Sequence, residues 1–374
     1  MPRRAWPFAP ATEATKTLMW EACRRDPDVA VISAACEGEV QPTILASLAL
    51  SNRIGPLLWR ALSLAGCTSV LGDEGKRMED LAELYRFQSL LLHPLAVAQA
   101  LTPLHAAGLE PLVMKGPSVA RYYPEPGLRP MDDLDLYLPD QQHNEALRVL
   151  EGAGWTVARA RKRDLYDTQL RHRDVPSMPL ELHYGLDGWH ERSNRLDPMW
   201  LWERRVPIDC MGTPAFGLPL EEDVVYLASH AGKPFHNFDR LIWLADLAMV
   251  IGDAPVDWDA IEAIASRHQC VTVVTAALQM ATRMGLELPA GRFELPAKGW
   301  RAVPLQELCA ADWPLTSIEG KHHIRFALVD TRWRRLVLFG AGNYNVSWSD
   351  RIHMPSRTVA RYMETRRKAQ RALH

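Results

Sequence analysis

The spacing of apolar positions divides the chain into three stretches. Over residues 10–107 apolar positions recur at three and four, in LASLALSNRIGPLLWRALSLAG and again in LAELYRFQSLLLHPLAVAQALTPLHAAG, the spacing of amphipathic helices. Gly108 follows the last periodic turn and reads as a helix stop. From Glu110 the period shortens. Glu110 to Lys115 suits a buried strand that Gly116 ends, and PSVARYY reads as a short helix. Pro117 lies in its first turn, where the missing N–H costs nothing. Pro124, Pro126, Gly127 and Pro130 mark a rigid loop before a second strand, Asp133 to Leu138. A helix from Asp140 to Ala153 follows, then strands at 155–160, 165–173 and 178–184. A Trp-rich irregular stretch covers 187–204, and a hairpin turns at Met211-Gly212. Helical spacing returns at 220–232, 239–251, 257–268 and 270–285. Residues 286–315 are proline-rich and are expected to wrap the surface, and 319–374 are expected to be mostly helical. The pattern predicts an α+β protein: an N-terminal helical region (1–108), an α/β core with a small mixed β-sheet (109–218) and a C-terminal helical region (219–374).

The second strand carries the chemistry. Side chains two apart on a strand share a face, so Asp133 and Asp135 present two carboxylates together while Leu134 and Leu136 point into a core. Like charges at that distance repel unless a cation sits between them. Mg²⁺ fits, since it takes oxygen ligands at about 2.1 Å and often uses one or two carboxylates with phosphate oxygens. Leucine alternation puts Asp132 on the other face. In Pro179-Leu180-Glu181-Leu182-His183-Tyr184 the same alternation puts Glu181 and His183 on one face. If the strands are sheet neighbours, Glu181 supplies a third carboxylate for a two-metal site, of the kind that stabilises attacking and leaving oxygens in phosphoryl transfer. No second His or Cys lies at ligand spacing from His183, so zinc is not expected. The Lys115-Gly116-Pro117-Ser118 turn leads into a helix N-terminus, which favours phosphate, and Gly116 allows close backbone approach. Trp189, Trp200 and Trp202 read as packing residues, His230 as structural, and Asp246 as a cap or partner within the helical region.

Composition narrows the classes. The 374 residues are 47% hydrophobic and 24% charged with a formal net charge of −2, ordinary for a globular protein and unlike a nucleic-acid binder that works by bulk charge. Residues 351–374 hold seven Arg or Lys against the single acid Glu364, which reads as a solvated helix. The six cysteines include no CxxC pair and read as reduced thiols. No apolar run reaches signal-peptide or membrane-span length, so the expected location is the cytoplasm, with no membrane partner.

KGPSVARYYPEPGLRPMDDLDLYL resembles the signature of the uncharacterised bacterial nucleotidyltransferases of the polymerase-β-like superfamily: a Lys-Gly turn, a Tyr-Tyr-Pro helix end, Arg-Pro-Met, then Asp-x-Asp. ProLeuGluLeuHisTyr resembles their third-carboxylate strand, and LASHAGKPFHNFDRLIWLADLAMVI their helical half, with a His, a Lys, an Arg and an Asp in matching places. The likeness spans roughly residues 40 to 285. It implies transfer of a nucleoside monophosphate from an NTP such as ATP to a hydroxyl or similar group on a small molecule, peptide or protein, with release of pyrophosphate. Asp133, Asp135 and Glu181 would be the catalytic and metal-binding residues, holding two Mg²⁺. Lys115, Gly116, Ser118, Arg129 and Lys233 would bind the nucleotide. Pro117 departs from the superfamily's Gly-Ser or Gly-Gly turn, which leaves Ser118 in question. The alternative is a non-catalytic module of this fold that recruits a peptide or protein. Nucleic acid is not expected as a partner.

Overall fold

The computed structural model describes residues 11–160, 167–186, 196–233, 236, 238–299, 301–310, 327, 328 and 330. Six helices open the chain: α1 (Glu13–Ala22), α2 (Val29–Cys36), α3 (Pro42–Ser51), α4 (Gly55–Leu64), α5 (Gly75–Phe87) and α6 (His93–Ala106). Local chemistry sets their starts. The Thr12 side chain accepts from the Thr15 N–H and the Asp28 carboxylate from the Ala30 and Val31 N–H groups, while α3 and α4 carry proline in the first turn. A π-helical turn, Gln88–Leu92, joins α5 to α6.

The sheet follows, interleaved with helices: β1 (Leu112–Met114), α7 (Gly116–Ala120), β2 (Leu134–Tyr137), α8 (His143–Gly152), β3 (Trp155–Arg159), β4 (Asp167–His172), β5 (Leu180–His183), α9 (Pro198–Glu203), β6 (Val206–Cys210) and β7 (Thr213–Gly217). Among the described residues it is a seven-stranded mixed sheet ordered β3-β4-β5-β2-β1-β7-β6. β2 runs parallel to β5 and β1 parallel to β7, and the remaining pairs are antiparallel. Four helices complete the main body: α10 (Leu220–Gly232), α11 (Leu241–Ile251), α12 (Trp258–Arg267) and α13 (Val271–Ala281). A further helix, α14 (Ala302–Ala310), lies beyond them. The fold is α+β, as the pattern predicts.

Alternation in the central strands separates the two faces. Val113, Leu134, Leu136, Leu180 and Leu182 pack with Val97, Ala100 and Leu104 of α6 and with Ala146 and Leu150 of α8. Leu112, Met114 and Tyr137 point the other way, into a larger core shared with α1, α3, α4, α10, α11 and α13. Each fully buried aliphatic side chain contributes roughly 1.5–3 kcal/mol, so two apolar layers hold the β2 backbone from both sides.

One expectation is overturned. Residues 286–315 do not simply wrap the surface, because α14 lies there and buries Leu305 and Leu308 against the helical core. Apolar spacing over Ala302–Ala310 outweighs the proline content of its surroundings. The helix expected over 319–374 and the basic tail lie outside the described residues, apart from 327, 328 and 330.

Candidate active site

β2 starts at Leu134, and burying Leu134 and Leu136 under α6 and α8 turns Asp135 to the opposite face. On that face Met114 of β1 is its register partner on one side and Glu181 of β5 on the other. The neighbour relation on which the third carboxylate depends is therefore present. Asp133 lies one residue before the strand, half-buried at the same edge. The Gln169 amide on β4 donates to Glu181 Oε1 at 3.2 Å and steadies that carboxylate.

Asp135 is 1% exposed, and its Oδ1 takes two partners. His183 Nε2 lies 2.7 Å away and Lys115 Nζ 2.8 Å away. Burial works against an ionised Asp135, but the Lys115 ammonium and the His183 hydrogen bond hold its carboxyl well below the usual range. Its neighbours move the other way. Burial, and then the Asp135 charge, push Asp133 up to about 6 and also raise Glu181. Three acids in one niche thus hold one firmly ionised member and two for which charge is costly. That imbalance is what a further cation would relieve.

Asp133, Asp135 and Glu181 line a cleft of about 230 Å³ together with Lys115 and Gly116. Cations and rings line the same cleft: His230 from α10, Lys233 and His236 after it, and Arg240 and Trp243 at the start of α11. His236 stacks on Trp243 at 4.4 Å, and His230 meets both rings edge-on. Burial and then Lys233 bring His236 down to about 2, and burial with Lys115 and Lys233 lowers His230, so both imidazoles are neutral. Arg129 also lines the cleft, gripped by Asp246 through Nε–Oδ1 at 3.0 Å and Nη2–Oδ2 at 2.8 Å. The Tyr123 hydroxyl donates to the same Asp246 at 2.7 Å.

The predicted residues thus gather in part. Asp133, Asp135, Glu181, Lys115, Gly116, Arg129 and Lys233 share one cleft. Ser118 does not join them. It is 1% exposed, with its Oγ accepting from Arg121 at 3.4 Å and lying close against Gly217. Ser118 lies inside α7 on the side that packs against Arg121 and Gly217, and Pro117 occupies the first turn before it. The positive φ of the turn belongs to Lys115, at 51°, rather than to Gly116. Asp132 is not on an opposite face. It stands at the cleft rim in an ion pair with Arg53, because it precedes the strand and alternation does not govern it. Asp246 is no cap of its own helix but the partner of Arg129. Trp200 and Trp202 pack by Arg204 and Arg205, away from the cleft lining, and Trp189 lies outside the described residues. Sequence reasoning read His230, which lines the cleft, as structural, and it missed Arg53, His236 and Trp243. The density of His and Trp over 230–243 was a signal for the last two, but nothing near Arg53 marked it.

The side chains present fit a divalent cation. Ligand atoms of Asp135, Glu181 and His183 lie within 4.8 Å of one another. The Lys115 ammonium already rests on Asp135, where a positive charge is drawn. A mixed sheet with carboxylates paired across two central strands, in a cleft also lined by cations, is an arrangement that could hold a metal ion beside an anionic ligand. The comparisons agree with that reading. A family model described as an uncharacterised nucleotidyltransferase matches residues 38–285, and the chain belongs to that family. Searches of curated proteins and of solved structures found no match. Among the described residues no helix is long and apolar enough to cross a membrane.

Proposed function

We propose that the protein transfers a nucleoside monophosphate from an NTP to a hydroxyl or similar group on a small molecule, peptide or protein, releasing pyrophosphate. The observation that carries the reading is the register pairing of Asp135 with Glu181 across β2 and β5, in a cleft also lined by Lys115, Arg129, Lys233 and Arg240. Asp133, Asp135 and Glu181 would hold Mg²⁺, which when bound supplies charge neutralisation on phosphate oxygens. Lys115, Arg129 and Lys233 add fixed positive charge around the polyphosphate. The Asp246 grip on Arg129 keeps that guanidinium from collapsing onto the acids. Gly116 lines the cleft without a side chain, which leaves room for a phosphate. The protein does little covalent work; positioning and charge stabilisation dominate. Glu181, whose pKa burial and Asp135 raise, is the group placed to take the acceptor's proton.

The test follows pyrophosphate release from labelled NTPs with divalent metal and panels of small-molecule and peptide acceptors. The expected result is metal-dependent release by the wild type that Asp135→Asn abolishes. Nucleotide binding that ignores both metal and Asp135 would leave a binding module, not an enzyme.

A further inference from the structure

We propose that His183 is a metal ligand, so that the site favours a manganese-type cation over Mg²⁺. The inference deepens the proposed function and rests on its metal-dependent site. The cation there is held by two carboxylates and an imidazole instead of by carboxylates alone.

Three observations place the imidazole there. His183 is 2% exposed and sits two residues after Glu181 on β5, so both side chains share the face that carries Asp135. Its Nε2 reaches Asp135 Oδ1 at 2.7 Å and lies 3.8 Å from Glu181 Oε2. Neighbouring ligands of an ion bound at about 2.1–2.2 Å sit roughly 3 Å apart, so small shifts around one centre satisfy all three. Asp133 is not part of this tight group. It lies at the strand edge beside the cleft, placed to meet an ion arriving with the nucleotide.

Asp135 is satisfied by the Nε2–H of His183 and by the Lys115 ammonium. A cation held by Nε2 would call for the Nδ1–H tautomer of the neutral ring, the proton moving from Nε2 to Nδ1 so that the Nε2 lone pair is available, and Lys115 would be freed toward the cleft that it already lines. Mg²⁺ is a hard ion that strongly prefers oxygen and keeps its water. An imidazole suits Mn²⁺ and later transition ions better.

The experiment is pulsed electron paramagnetic resonance on the full chain loaded with Mn²⁺, with and without a non-hydrolysable NTP. Nitrogen-14 modulation of the Mn²⁺ signal is expected, and it should change to the nitrogen-15 pattern when the protein is made with nitrogen-15 histidine. His183→Gln should lose it. Because isotope labelling leaves the fold untouched, the result does not depend on the variant folding. Titration should also show tighter binding of Mn²⁺ than of Mg²⁺ in the wild type. Bound Mn²⁺ without histidine modulation overturns this inference and leaves the proposed function standing, with His183 merely orienting Asp135. No Mn²⁺ or Mg²⁺ bound in either state overturns both.

Discussion

At the scale of single residues, charge placement decides what the cleft can do. Lys115 and Asp135 form a buried pair in which each holds the other in its charged form. Replacing Lys115 by Met leaves Asp135 with His183 as its remaining partner in the niche. Breaking one side of a buried pair costs about 3–5 kcal/mol. Lys115→Met should therefore lower the melting temperature without metal, and added divalent metal should raise it more in the variant than in the wild type. Calorimetry with and without metal measures the difference, and equal metal responses would count against a cation-seeking niche. Asp246 poses the same question for Arg129. It is 1% exposed and holds the guanidinium with two hydrogen bonds. Asp246→Ala should cost about 3–5 kcal/mol in urea unfolding and should also weaken NTP binding, because the unclamped Arg129 is drawn to the acids. These two pairs were half legible beforehand. Asp135, Lys115 and Arg129 stood out by motif, but which charge each would pair with depends on elements whose proximity no local spacing encodes.

At the scale of elements, the loop between α7 and β2 positions Arg129 and Asp133, and its seat is α5. Gly127 has φ of 89°, and a Cβ there would meet the Arg86 Cα at 2.5 Å. The loop can lie on the helix only with glycine at this contact. Gly127→Ala should lift it, costing about 2 kcal/mol or more in chemical denaturation and weakening NTP binding with Asp135 itself unchanged. An alanine variant as stable as the wild type would show that the loop is not seated there. The strands teach a related lesson. Period two correctly assigned Asp135, Glu181 and His183 to one face, because each lies inside a strand. It misplaced Asp132, because pleating begins only at Leu134.

At the scale of the whole molecule, buried titratable groups set opposing pH responses. Burial, with Arg129 nearby, lowers His93 to about 4. A histidine depressed on folding contributes stability in full above its unfolded value near 6.5, and loses it as pH falls toward 4. Asp223 on α10 is raised by burial to about 7, against the pull of Arg121. It binds a proton on folding, so its contribution is present at low pH and is lost as pH rises toward 7. The two cancel in part, and single variants should expose them. Between pH 8 and pH 5, His93→Gln should lose about 2 kcal/mol less stability than the wild type, and Asp223→Asn about 2–3 kcal/mol more. Urea unfolding at the two pH values checks both signs, and variants that track the wild type would refute the assignment.

The sequence alone determined the local order of the described residues: the N-terminal helices, the strand-rich middle, the helices over 220–281, the shared face of Glu181 and His183, and the Asp-x-Asp strand. Those follow from periodicity and turn chemistry, which act over a few residues. Only the tertiary structure decided which strands are neighbours, and so that Glu181 stands beside Asp135. It also decided that Arg53, Lys233, His236, Arg240 and Trp243 close the cleft from far along the chain, and that Ser118 stays beneath it. Those outcomes depend on which apolar faces bury one another, a choice made by the whole core at once.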